Sequence, residues 1–172
     1  VGRRVIKDFK TGVKADALYI PDYYETISLI VPYLGYYDIK GVALLGSNGW
    51  NSARLVELAG ASVEGAVFVD GFFAESTRPG AAEFSSRFQQ AYARPPGALE
   101  AQAYDAAAIL IHAAASASGA PLDRAVIKDR LKATKGFIGA AGEVSFGNER
   151  EAQKRLFILT VKQGAIAEAE VR

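Results

Sequence analysis

The chain has 172 residues, 50% of them hydrophobic and 23% charged, with 20 Lys and Arg against 19 Asp and Glu. That is an ordinary globular composition with no basic stripe, so nucleic acid is not an expected partner. No apolar run reaches the roughly 20 residues that cross a bilayer, and the lack of Cys excludes disulfides, thiolate metal sites and a Cys nucleophile.

The first element is the end of a helix over residues 5–14, where Val5, Ile6 and Phe9 share a face and Gly12 is a stop signal. An apolar run over 17–20 closes in Pro21-Asp22, which is a buried strand with a polar exit. Over 23–37, Ile27, Ile30, Val31 and Leu34 recur at helical spacing, and Pro32 predicts a kink or break. The sequence GVALLG over 41–46 is a second buried strand, followed by a turn at Ser47-Asn48-Gly49. Asn51 or Ser52 then caps a short helix running to Leu58. A third strand follows over 66–69. Three buried strands separated by helices predict an α/β fold, a parallel sheet with right-handed crossovers.

The pattern changes after that. Residues 81–93 form an amphipathic helix with Phe84, Phe88 and Tyr92 at a spacing of four, and Arg94-Pro95-Pro96-Gly97 breaks it. An Ala-rich helix follows over 99–118, and Pro121-Leu122-Asp123 opens another that ends near Thr134. Three helices in succession do not alternate with strands, so they are expected to cover a sheet built by other residues. Gly136, Gly139 and Gly142 mark loops, and 143–146 is a short strand. Residues 156–161 and 165–171, joined by Gln163-Gly164, read as a hairpin with one solvated face.

No catalytic signature is present: there is no G-x-S-x-G, Walker A loop, H-E-x-x-H or G-x-G-x-x-G. His112 is the only histidine, so neither a His-dependent triad nor a multi-His metal site can be assembled. The expectation is a protein that is not an enzyme and carries no metal or cofactor. Among the acids near element ends (Asp16, Asp22, Asp70 and Asp105), caps and turns are the favoured reading for Asp16 and Asp70. Asp22 follows a parallel strand at its carboxyl end, as does Ser47-Asn48-Gly49-Trp50, and ligands of open α/β sheets bind beyond those ends. Asp22, Tyr23, Asn48 and Trp50 would offer aromatic walls and hydrogen-bonding groups to a small molecule. Rim packing by Tyr23 and Trp50, with Asn48 as a turn residue, fits the local sequence equally well.

The order of these features resembles the C-terminal half of the type I periplasmic binding proteins, most of all the branched-chain amino acid (Leu/Ile/Val) binding proteins. The resemblance rests on a strand ending in a tyrosine pair, a strand ending in G-S-N-G-W, then E-G-A-V-F, F-x-x-x-F-x-x-x-Y, P-P and A-Y-D-A-A. A helix opened by P-L-D follows, then G-x-x-G-E-V-S-F and K-R-L-F-I-L-T-V-K-Q-G. It extends over nearly the whole chain. Envelope lipoproteins that activate penicillin-binding proteins are similar too, notably over DALYIPDYYETISLIVPYLGYYDIKGVALLGSNGW.

That resemblance implies two α/β lobes joined by three crossings. Residues 1–73 would form the second lobe, 74–150 would return to the first lobe as helices, and the hairpin over 151–172 would cross back. The upstream half of the protein would then be absent from this chain, which has no Met at position 1. Tyr23, with Asp22, matches the family's aromatic and polar ligand contacts. Asn48 stands where family members place the acid that holds a ligand ammonium, and Tyr104 matches a position facing the cleft from the first lobe. The function implied is extracytoplasmic binding of a small polar ligand, such as an amino acid, for a membrane permease of the ABC type. The alternative is an envelope scaffold whose partner is a penicillin-binding protein, and Asn48 in place of an acid favours it. Either places the protein in the periplasm or cell envelope, with a lipid anchor upstream.

Overall fold

The computed structural model describes residues 15–116, 123–148 and 151–169. The helix end expected over 5–14 lies outside them. β1 (Ala17–Ile20), α1 (Tyr24–Tyr36), β2 (Ala43–Gly46), α2 (Ala53–Ala59) and β3 (Val67–Asp70) alternate as the sequence predicts. β1, β2 and β3 are parallel, with Ile20 beside Gly46 and Gly46 beside Phe68. Two later strands, β7 (Phe157–Lys162) and β8 (Ala165–Glu168), extend this sheet antiparallel, giving the order β1-β2-β3-β7-β8. Asp70 at the end of β3 stands opposite Phe157 at the start of β7.

Local chemistry explains most boundaries. α1 buries Ile27 and Val31, four residues apart, against the sheet, whereas Ile30, expected on the same face, is exposed. Pro32 lies inside α1 on its solvent side, where it removes only the hydrogen bond its nitrogen would have donated to Ser28. Ser52 rather than Asn51 caps α2, its hydroxyl accepting from the Arg54 N–H at 3.3 Å. Gln163 and Gly164, both at positive φ (54° and 72°), form the tight β7–β8 turn. The Glu64 carboxylate accepts their N–H groups at 2.6 and 3.1 Å. Trp50, Leu55, Phe68, Phe157 and Leu159 are fully buried in the core under this sheet. Burial of each such side chain contributes about 1.5–3 kcal/mol.

The remainder of the chain builds a second structural layer. α3 (Pro79–Tyr92), α4 (Ala98–Ala115) and α5 (Arg124–Ala133) follow one another without a strand between them, as expected. α3 begins two residues earlier than the pattern suggests because Pro79 occupies a first-turn position, where its fixed φ and missing N–H are favourable. Asp123 caps α5, accepting from the Val126 N–H at 2.8 Å. A small antiparallel sheet comes next: β4 (Phe137–Gly139), β5 (Gly142–Phe146) and β6 (Ala152–Lys154). The expectation of loops at Gly139 and Gly142 is corrected here. Both glycines end paired strands across the tight Ala140-Ala141 turn. Asp105 is corrected as well. It lies in the middle of α4, buried, and its carboxylate accepts the Ala140 and Ala141 N–H groups at 2.5 and 2.9 Å. A side chain at Gly139 would come within 2.5 Å of that carboxylate, so the glycine is what admits the hairpin to the helix.

Candidate functional site

The parallel strands β1, β2 and β3 all present their carboxyl ends at one edge of the sheet, at Ile20, Gly46 and Asp70. The turns that follow them are packed together there. A side chain on Gly49 would collide with the Asp22 carbonyl oxygen and come within 3.0 Å of the Tyr23 Cα, so the absence of one brings the two turns into contact. Trp50 fastens the same junction: its indole N–H donates to the Ile20 carbonyl at 2.9 Å. Asn51 ties the next pair, its amide donating to Asp70 Oδ2 at 2.8 Å and to the Phe72 carbonyl at 3.1 Å. The other Asp70 oxygen accepts the Gly71 N–H at 2.5 Å.

Beside this rim lies a groove of about 830 Å³. Asn48, Asn51 and Asp70 contribute its sheet-side polar wall, and Phe72 and Phe73 of the chain leaving β3 contribute apolar surface. The opposite wall comes from the α3–α4 connection, Pro95 to Ala98. Glu57, Asp70 and Glu75 all line the groove, whereas no Lys or Arg among the described residues does. The groove therefore favours ligands that bring hydrogen-bond donors or positive charge, with an apolar portion to lie on the phenylalanines.

The Pro95–Ala98 wall is braced. Glu100 accepts from Arg94 at 2.7 Å and from the Gly97 N–H at 3.0 Å. The Arg94 hydrogen bond, first, and the backbone N–H groups hold the Glu100 carboxyl below the usual range. Arg94 also donates to the Pro95 carbonyl at 3.3 Å and stands over the Phe88 ring.

The five expected site residues fare differently. Asn48 lines the groove and is exposed. Asp22 and Tyr23 lie on the adjoining turn. Tyr23 is 68% exposed, and Asp22 Oδ1 accepts the Tyr23 N–H at 2.7 Å. Trp50 is 0% exposed, with its ring against Phe68, so it has no surface to form an aromatic ligand wall and acts as the clamp between turns. Tyr104 is 47% exposed on α4, its ring packed on Phe84 at 4.9 Å, and it does not line the groove. Asn51, Asp70 and Glu57 were not foreseen. Asp70 carried the same signal as Asp22, an acid at the carboxyl end of a parallel strand, but read as a turn residue.

Among the described residues no group of three or more His, Asp or Glu is placed to hold a metal, and no helix is long and apolar enough to cross a membrane.

The sequence matches the family model of the periplasmic binding proteins over residues 16–165. No curated protein matches it. Among solved structures, a putative branched-chain amino acid ABC transporter protein of Rhodospirillum rubrum is 28% identical, with a TM-score of 0.83 over 90% of this chain and 44% of that one. A leucine-binding protein of Thermotoga maritima is 29% identical, with a TM-score of 0.70 over 90% of this chain and 44% of its own. The branched-chain amino acid transporter substrate-binding protein of Streptococcus pneumoniae, solved with isoleucine, is 28% identical. Its TM-score is 0.68 over 96% of this chain and 48% of its own. The chain thus spans less than half the length of these structures.

Proposed function

This chain belongs to the periplasmic binding protein family, and on that premise we propose that it is part of an extracytoplasmic solute-binding protein. Its ligand is a small polar molecule such as an amino acid, held in the groove at the strand ends and delivered to a membrane permease of the ABC type. One observation carries this reading. The groove joins two separate parts of the fold, the turns after β2 and β3 with α2 and the β7–β8 turn on one side and the loop between α3 and α4 on the other. A ligand seated there touches both, which is the requirement for a ligand to bind a closed arrangement better than an open one. Among the described residues, those up to Phe73 belong to one lobe and those from Ala74 to Lys154 to the other. Because β6 pairs with β5, the return crossing falls at Arg155 and Leu156. Closure is a hinge motion at that crossing and at the one near Phe73. Two relatives that bind branched-chain amino acids support the ligand class.

Asn48 serves as a hydrogen-bond partner for the ligand's polar end, with the nearby Asp70 supplying the negative charge that Asn48 lacks. The test is a thermal-shift panel of amino acids on the intact protein. At 100 times the dissociation constant a true ligand adds about 2.7 kcal/mol of stability. A flat response to every member overturns the reading.

A second reading, a scaffold that docks a penicillin-binding protein, has a specific observation in its favour. α1 and its C-terminal cap expose Leu29, Tyr33, Tyr36 and Tyr37 together, the three tyrosine rings lying 5.1–6.4 Å apart. Exposed apolar surface of this kind marks interaction sites. Co-purification of the intact protein with a penicillin-binding protein, abolished by the Y33A/Y36A pair, would establish it over the first.

A further inference from the structure

The two chain crossings run side by side at the end of the large sheet, because Asp70 at the end of β3 is in register with Phe157 at the start of β7. Three residues before Phe157, Lys154 ends the small sheet, paired with Val144 of β5. Its side chain turns toward the first crossing. The ammonium nitrogen lies 3.8 Å from the point a side chain on Gly71 would occupy, and the Gln102 amide nitrogen of α4 reaches the same point at the same distance. Gly71 donates its N–H to the Asp70 carboxylate, so the ammonium lies beside the residue that follows the acid of the groove wall. Asp105 approaches from α4, its two oxygens already engaged by the Ala140 and Ala141 N–H groups.

We propose that Lys154 is a specificity-determining positioning residue: its ammonium, outside the groove lining and beside Gly71, offsets the charge of the Asp70 carboxylate and so sets the ligand charge that the groove accepts. The proposal rests on the ligand-binding reading above. Asp70 is 8% exposed, and a buried carboxylate without a countercharge attracts any cation that can reach it. With Lys154 in place that attraction is shared, and a zwitterion is accommodated at the strand ends as readily as a cation. Burial holds the Lys154 ammonium pKa below its usual range, and the charges of Asp105 and Asp70 act against that shift, as expected for an ammonium set between two carboxylates. Lys154 does not line the groove, so its influence on a ligand passes through Asp70.

The test compares L-leucine with L-leucinamide, which share a side chain and differ by one negative charge, on the intact protein. K154M should lower the ratio of the leucinamide to the leucine dissociation constant about tenfold, and K154R should restore it. An unchanged ratio, or an equal loss for both ligands, overturns the proposal, since a merely structural lysine would weaken both alike. A second measurement does not depend on any ligand. Denaturant unfolding of K154M, D70N and the double variant should be non-additive, and additive effects overturn the pairing. If wild-type protein binds neither compound, the ligand-binding reading fails and the specificity assignment falls with it, while the unfolding cycle still decides whether Lys154 and Asp70 are coupled.

Discussion

The two layers of this molecule are held together by different means. The large sheet with α1 and α2 closes over a continuous apolar core in which Trp50, Leu55, Phe68, Phe157 and Leu159 are fully buried. In the helical layer, α4 turns small residues inward, Ala101 and Ala113 with Ile109, and α5 has no buried residue at all. Leu99, Leu110 and Ile111 of α4 face outward, Leu99 at 81% exposure. The apolar core continues into this layer through Ala81, Phe84 and Ala101, with the Phe84 ring against Phe72, and the buried Asp105 on the β4–β5 turn adds polar contacts to it. The contrast teaches that one layer is set by large apolar side chains and the other by smaller ones supplemented with a few specific hydrogen bonds.

The sharpest way to break that comparison is to remove one key residue from each layer. Trp50→Ala should cost about 3–5 kcal/mol in denaturant unfolding, from the cavity and from the orphaned Ile20 carbonyl. Asp105→Ala leaves two buried N–H groups unpaired and should cost roughly 2–4 kcal/mol. Its effect should concentrate in the helical layer, read as faster amide exchange over α4, β4 and β5 with β1 to β3 protected. If the loss of protection spreads evenly over both layers, they unfold as one unit and the contrast is wrong. Next in size is the cap of α2, where Ser52→Ala should cost about 1 kcal/mol. Leu110→Ala, a large apolar residue on the outer face of α4, should change stability by less than about 0.5 kcal/mol. A loss comparable to Trp50→Ala would mean that α4 is covered in solution.

The smallest effect concerns the groove wall. The Glu100 carboxyl is held below its ordinary value by Arg94, so the folded state favours the ionised form. The brace is therefore complete above the unfolded carboxyl range and weakens as pH falls through the lower, folded value. The protection of the Gly97 and Ala98 amides, relative to their intrinsic exchange rates at each pH, should fall on acidification through that window in the wild type. In Glu100→Gln that protection should be low at both ends and nearly independent of pH.

Much of the sheet layer was legible in the sequence. The runs ALYI and ALLG, each closed by a polar turn, gave their strands away as apolar stretches, but the expectation that both are buried is corrected: β1 is an edge strand with Tyr19 59% exposed, and only Gly46 of β2 is buried. The helical layer was harder. The strand β6, Ala152–Lys154, is three residues with no buried side chain and carries no pattern of its own. It exists because β5 offers an edge. Of the expected site residues, Asn48 lines the groove, whereas Asp22 and Tyr23, chosen by the same rule that ligands sit beyond strand ends, stand on the adjoining turn outside its lining. The burial of Trp50 was not legible, because its sequence position at the rim says nothing about which way the ring turns.

The sequence alone determined what depends on short spacing: the α/β alternation, a helix cap at Asn51 or Ser52, a helix opened by Pro121-Leu122-Asp123, the tight turn at Gln163-Gly164 and the family resemblance. Those features are fixed by backbone sterics and by hydrogen bonds a few residues long. Tertiary structure decided the pairs that join distant segments. Asn51 reaches Asp70 across 19 residues, Asp105 reaches Ala140 across 35, and the Pro95–Ala98 loop comes to face Asn48. Each requires that the intervening chain fold first, since only a packed core places two such groups within hydrogen-bonding reach and holds water away from them.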